Sequence, residues 1–155
     1  MAKQDAFTLI KEDHDRFREM FSDYDDLPDD DYRAKLDLAL RLYEALAAHG
    51  TMEEEIFYPA IREHASEHGV EMLLERYEEH HVADEVIAEL KELDIEDETY
   101  DAKFKVLREN VEHHLDEEEE ELFPEARKAL GDNATEIGEK MRARRDELLA
   151  ATPTR

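Results

Sequence analysis

The 155-residue chain has no cysteine and no tryptophan, and it has just four glycines and four prolines. Without cysteine it forms no disulfide, holds no zinc through thiolates, carries no iron–sulfur cluster and has no thiol nucleophile. So little glycine and proline leaves few of the tight turns on which antiparallel sheets depend. No apolar run is long enough for a membrane span, and the opening MAKQDAFTLIKEDHD is too polar for a secretory signal, so the cytoplasm is the expected compartment. Positive charge is scarce as well. Twenty Lys and Arg face 45 Asp and Glu, a formal net charge of −25. Such a chain repels nucleic acid and anionic membranes and attracts cations, although much surface acid serves only solubility.

What is present favours helices. Charged residues make up 42% and hydrophobic ones 41% of the chain, with Ala, Leu, Glu, Lys and Arg abundant. Apolar residues recur at helical spacing. A first helix is expected over about 5 to 24, with Phe7, Ile10, His14, Phe17 and Phe21 inward, broken by DDLPDDD. A second covers about 30 to 64, with Leu38, Leu42, Ala45, Leu46, His49, Glu53, Ile56 and Phe57 inward and a kink near 55 to 58 caused by Pro59. The chain then turns around Gly69. A third helix, about 70 to 93, faces Leu73, Tyr77, His80, Ala83, Val86, Ile87 and Leu90 inward. A fourth, about 98 to 130, carries Phe104, Leu107, Val111, His114, Glu118 and Leu122, with a matching kink at Pro124 and Gly131 ending it. The expected fold is all-α: an antiparallel four-helix bundle over residues 1–130, with an extra C-terminal helix in 131–155 packed outside it through Ile137, Met141 and Leu148.

The chain repeats itself. AHGTMEEEIFYPA at 48–60 runs parallel to HHLDEEEEELFPE at 113–125. Setting His49 over His114 puts Glu53 on Glu118, Pro59 on Pro124 and Arg62 on Arg127, and an offset one residue longer pairs His14 with His80. The bundle therefore reads as two helix hairpins of one pattern. Each long helix carries one histidine on its apolar stripe: His14, His49, His80 and His114. A single inward histidine is an ordinary hydrogen-bonded core residue, and acidic runs such as 53–55 and 117–121 are ordinarily solvated. Four histidines, one per helix, point elsewhere. Two of them carry a glutamate at i+4, one turn along the same face. A run of five glutamates wraps the helix, and the register of Leu107, Val111 and His114 selects Glu118 as the inward one. Burying such a cluster without a partner costs several kcal/mol per charged group. A bound cation removes that cost, because carboxylate and neutral imidazole are its ligands.

The stretches KEDHDRFREMF, AHGTMEEEIFYP, EEHHVADEVIAEL and VEHHLDEEEEELFP resemble the hemerythrin-like HHE cation-binding domain, over about residues 5 to 128. The resemblance implies a non-haem di-iron centre inside the bundle. It makes His14, His49, His80 and His114 iron ligands and Glu53 and Glu118 carboxylates that bridge two Fe ions, joined by an oxo or hydroxo bridge. His113 competes with His114, since a five-residue spacing to Glu118 also occurs in the family, and His81 competes with His80. His64 and His68 flank a helix end and read as solvated. Oxygen-carrying members have a second histidine on the third helix, where this chain offers Asp84 or Tyr77. Of about twelve positions on two octahedral ions, four histidines, two bridging carboxylates and the bridge fill about ten. About two stay open, which favours reaction with a small oxidant (hydrogen peroxide, O2 or nitric oxide) by a monomer or weak oligomer. The alternative is a non-enzymatic O2- or iron-binding or sensing module. A ferritin-like site would need Glu-x-x-His on two helices, and Glu78-x-x-His81 is the one fit.

Overall fold

A computed structural model describes residues 4–151. Helix α1 spans Ala6–Asp26, α2 Tyr32–Met52, α3 Tyr58–Arg62, α4 Glu67–Glu92, α5 Tyr100–Glu117, α6 Phe123–Leu130 and α7 Ala134–Ala151. Each break is made by its local sequence. Asp5, Asp31 and Ser66 cap α1, α2 and α4 by accepting from the N–H groups of Thr8, Ala34 and Gly69 at 2.8, 3.2 and 3.0 Å. The turn expected around Gly69 falls earlier, at 63–66, because the Ser66 hydroxyl starts α4 and draws Gly69 into its first turn. Gly131, with φ +51°, closes α6 in the left-handed region.

The two prolines act through a wider turn. A π-helical segment, Glu53–Phe57, joins α2 to α3, and a second, Glu118–Leu122, joins α5 to α6. In each, a backbone N–H reaches the carbonyl five residues back: Tyr58 to Glu53, and Phe123 to Glu118. A proline in a helix has no N–H for the carbonyl four residues back, and its ring collides with that carbonyl. One wide turn just ahead of Pro59 and Pro124 relieves both conflicts, and the two helices continue. Each π-turn begins at the glutamate of its repeat.

Two antiparallel hairpins, α1 with α2–α3 and α4 with α5–α6, thus form a four-helix bundle. Its core falls into two apolar clusters. One gathers Phe7, Ile10, Met52, Phe57, Tyr58, Leu73, Leu122, Phe123 and Met141. The other gathers Phe17, Phe21, Leu42, Tyr43, Ile87, Tyr100, Phe104 and Leu107. His14 lies between Ile10 of the first and Phe17 of the second, and His114 between Leu122 and Val111. The histidines therefore mark a polar layer that divides the core.

Helix α7 packs against α1 and α2. Gly138, Met141, Arg145 and Leu148 recur on one face of it, and Met141 is fully buried in the first cluster. A Cβ placed on Gly138 would lie 2.6 Å from the Ala6 nitrogen, the Asp5 carbonyl carbon and the Gln4 oxygen, all of them backbone. Gly→Ala in a helix interior ordinarily stabilises by roughly 0.5–1 kcal/mol. Gly138→Ala is expected to do the reverse, lowering stability by about 1–3 kcal/mol as α7 is pushed off α1. A urea titration of the two proteins measures the sign.

Candidate metal centre

Six side chains converge in the polar layer. Glu53 and Glu118 are fully buried, as is His14, and His49 and His114 are buried too. His80 retains 11% of its side-chain exposure. Their Nε2 atoms all face the two glutamates. His14 lies 3.2 Å from Glu118 Oε1, His114 3.4 Å from Glu118 Oε2, His49 3.3 Å and His80 3.2 Å from Glu53 Oε1. The ligand atoms form two compact groups, His14–His49–Glu53–Glu118 and Glu53–His80–His114, each within 4.8 Å, with Glu53 in both. His14 Nε2, His49 Nε2, Glu53 Oε2 and Glu118 Oε1 are buried there without a hydrogen bond. Such convergent buried atoms without a hydrogen bond are costly, and a cation between them would remove that cost, so the donor set fits a metal.

The adjacent histidines separate cleanly. His80 and His114 enter the layer, whereas the side chains of His81 and His113 are 65% and 68% exposed. His64 and His68 are exposed beside the α3–α4 turn. Asp84 is exposed and lines a cavity next to His80, and Tyr77 packs edge-on against Tyr58 with ring centroids 5.4 Å apart. Glu79, His113 and Glu117 form another group near the surface, but the Arg76 guanidinium lies 2.5 Å from Glu79 and 2.7 Å from Glu117 and already balances them.

Every inward imidazole has a second carboxylate behind it. Nδ1 of His49 meets Asp13 at 2.8 Å, that of His14 meets Glu119 at 2.7 Å, that of His114 meets Glu79 at 3.2 Å, and that of His80 meets Glu54 at 3.6 Å. These partners obey the repeat: Asp13 matches Glu79, one residue before the histidine of α1 or α4, and Glu54 matches Glu119, one residue after the inner glutamate. At His14, His49 and His114 the outer carboxylate is within hydrogen-bond reach of Nδ1 and can hold a proton there, which turns Nε2 inward, whereas His80 Nδ1, 3.6 Å from Glu54, makes no hydrogen bond. Three of the four are themselves gripped by arginine: Asp13 by Arg145 at 2.8 Å, Glu119 by Arg18 at 2.8 Å and Glu79 by Arg76.

Tyr58 was not singled out by the sequence pattern. Its buried hydroxyl, which carries one proton, lies 2.6 Å from Glu118 Oε2 and 3.1 Å from Glu53 Oε1 and can donate to either, across the gap between the two carboxylates. Burial, then Glu118 and Glu53, hold its pKa well above the ordinary tyrosine value, so the hydroxyl stays protonated. The π-turn is what aims it, since a wide turn brings residue i+5 back over residue i. Its repeat partner is Phe123, so the hydroxyl occurs in one copy alone, and that mismatch was the available signal. Asp13, Glu119 and Glu79 were lost among many acids.

The family model described as the hemerythrin HHE cation binding domain matches residues 5–126. The chain belongs to the hemerythrin HHE cation-binding family. Among solved structures, a hemerythrin HHE cation binding domain-containing protein from Mycobacterium kansasii matches with a TM-score of 0.81 and 22% identity, over 96% of this chain and 89% of that one, which shows the shared fold. No curated protein matches the chain. The hemerythrin HHE region ends before α7, so Arg145 reaches the layer from outside it. No helix among the described residues is long and apolar enough to cross a membrane.

A cavity of about 130 Å³ lies between α2, α4 and α5. Its lining runs from exposed Asp84 and Asn110, past Phe17, Leu46, Ile87 and Val111, to His49, His80 and His114. Burial pushes the His49 and His80 imidazoles down, but Glu53 with Asp13, and Glu53 with Glu54, outweigh it and lift both to about 10 from an ordinary 6.5. On the acid side, burial pushes the Glu119 carboxyl up, and His14 with Arg18 overcomes this to bring it to about 2 from 4.5.

In metal-free protein the raised imidazoles contribute stability that is complete below about pH 6.5 and lost as pH rises towards about 10. The depressed Glu119 contributes above about 4.5 and loses it as pH falls towards about 2. The urea midpoint of metal-free protein is therefore expected to be highest between about pH 4.5 and 6.5 and to decline on the alkaline side. Metal-loaded protein, whose imidazoles are already neutral, should keep its alkaline stability. A flat alkaline limb in metal-free protein would contradict this.

Proposed function

We propose that the chain holds two iron ions in its His/Glu layer and reacts there with a small neutral oxidant, hydrogen peroxide, O2 or nitric oxide. The observation that carries the reading is the pair of ligand groups that share Glu53: in the first, His14, His49, Glu53 and Glu118 bring buried nitrogen and oxygen atoms together without a hydrogen bond, and in the second, His80 and His114 bring their Nε2 atoms to 3.3 Å of each other. His14 and His49 would hold one ion and His80 and His114 the other. Glu53 and Glu118 would serve both, since Glu118 faces His14 through Oε1 and His114 through Oε2. Iron, when bound, supplies the electron transfer that no side chain here can provide.

The remaining work belongs to the chain. Outer carboxylates keep the imidazoles in the tautomer whose Nε2 is free to ligate. Phe17, Leu46, Ile87 and Val111 wall the cavity with apolar surface, and Glu54, Glu79 and Asp84 add negative charge to its lining. That combination repels anions and admits small uncharged molecules. Tyr58 Oη holds a proton between Glu53 and Glu118, where a donor is placed to serve an oxygen of the reacting molecule.

Reconstitution with ferrous iron followed by metal analysis tests the reading. Wild type and the exposed-histidine variant His64→Ala are expected to take up two ions per chain. His80→Ala is expected to keep one, and Glu53→Ala, which removes the shared carboxylate, should keep less than one. Peroxide consumption should follow the two-ion form and disappear in His80→Ala. A wild-type protein with one ion or none would overturn the proposal.

A further inference from the structure

We propose that Arg145 is a positioning residue for the metal centre, reaching in from α7 and acting through Asp13 on His49. The inference rests on the metal-binding reading above. Arg145 Nη1 donates to Asp13 Oδ1 at 2.8 Å, and Asp13 Oδ2 accepts from His49 Nδ1 at 2.8 Å. Asp13 and His49 are both buried, and the Arg145 side chain is 13% exposed. The other face of the His49 ring looks at Glu53, 3.3 Å from Nε2. A single chain of charge-assisted contacts therefore runs from α7 to the inner carboxylate.

The internal repeat shows why the helix is required. In the second hairpin Glu79, the counterpart of Asp13, backs His114 and is gripped by Arg76 from its own helix. In the first hairpin the position equivalent to Arg76 is Ile10, a fully buried core residue. Without α7, Asp13 would have Arg16 at 3.8 Å as its cation, and Arg16 is itself half exposed. Arg145 supplies from outside the repeat what Arg76 supplies from within. The docking of α7 is built for this reach: Gly138 lets the helix touch the backbone at the start of α1, Met141 anchors it in the core, and Arg145 lies one turn further on the same face.

The test compares Arg145→Gln and Arg145→Lys with Arg144→Gln in the full chain. Arg144 ties the same helix to Glu55 at 3.0 Å without approaching a histidine. Ferrous affinity, read by competition with a chelator, is expected to fall about 10–100-fold in Arg145→Gln, the usual cost of losing support behind a ligating histidine. Arg145→Lys should recover part of it, and Arg144→Gln should bind as wild type does even where both helices loosen. A second readout needs no metal: the proton on His49 Nδ1, held by Asp13, gives a downfield NMR resonance that shifts or broadens in Arg145→Gln and stays in Arg144→Gln. Wild-type affinity in Arg145→Gln overturns the proposal, and so does an equal loss in both glutamine variants, which would make α7 a general brace. If wild type takes up no iron, the metal reading fails, and the Nδ1 resonance alone decides whether Arg145 places His49.

Discussion

Everything in this bundle is arranged around one electrostatic problem: two glutamates and four histidines lie in a layer between two apolar clusters, largely shielded from water. An isolated carboxylate in such a place costs several kcal/mol after relaxation. The chain answers with shells of alternating charge. Inner carboxylates face imidazoles, imidazoles face outer carboxylates, and three of those face arginines. Six carboxylates meet three close guanidiniums, with the half-exposed Arg16 and Lys11 further off at 3.8 Å from Asp13 and 3.6 Å from Glu119, so much of the balance is left to imidazolium ions or to bound cations. That shortfall is what a bound cation would meet in a member of a cation-binding family, and the same facing carboxylates raise the His49 and His80 imidazoles.

The π-turns belong to the same solution. Each wide turn, Glu53–Phe57 and Glu118–Leu122, begins at the inner glutamate of its copy, and in the first copy it also brings the Tyr58 hydroxyl to both carboxylates. Helix-breaking residues thus sit beside the centre because they shape it.

The two halves are alike in their ligands and unlike in their support. Arg18, which holds Glu119, corresponds to Asp84 in the second half, so Glu54 behind His80 faces another acid where its counterpart faces a guanidinium. Burial, with Glu54 nearby, raises the Asp84 carboxyl pKa. The same corner adjoins the cavity that reaches His49, His80 and His114. Support is firmest around His14 and His49 and loosest around His80, the layer's least buried histidine.

The duplicated His-x-x-x-Glu pattern and helical spacing determined the bundle and the six inner residues, because a repeat in sequence is a repeat in space when each copy is one helix hairpin. Four imidazoles and two glutamates on apolar stripes pointed to a bound cation as one way to satisfy them. The sequence could not say which of 45 acids would stand behind which histidine, since the outer contacts join residues as far apart as Asp13 and Arg145. It placed Gly69 at a turn that Ser66 sets earlier, and it expected the helices to be disturbed just ahead of Pro59 and Pro124 without foreseeing that the disturbance takes the form of a π-turn. Tyr58 read as one aromatic of an FYP tail. Its role depends on the angle at which a wide turn presents it, and the tying of α7 to His49 depends on how closely Gly138 lets two helices approach. Periodicity records which face of a helix is buried; only the packed structure decides which charges meet across it.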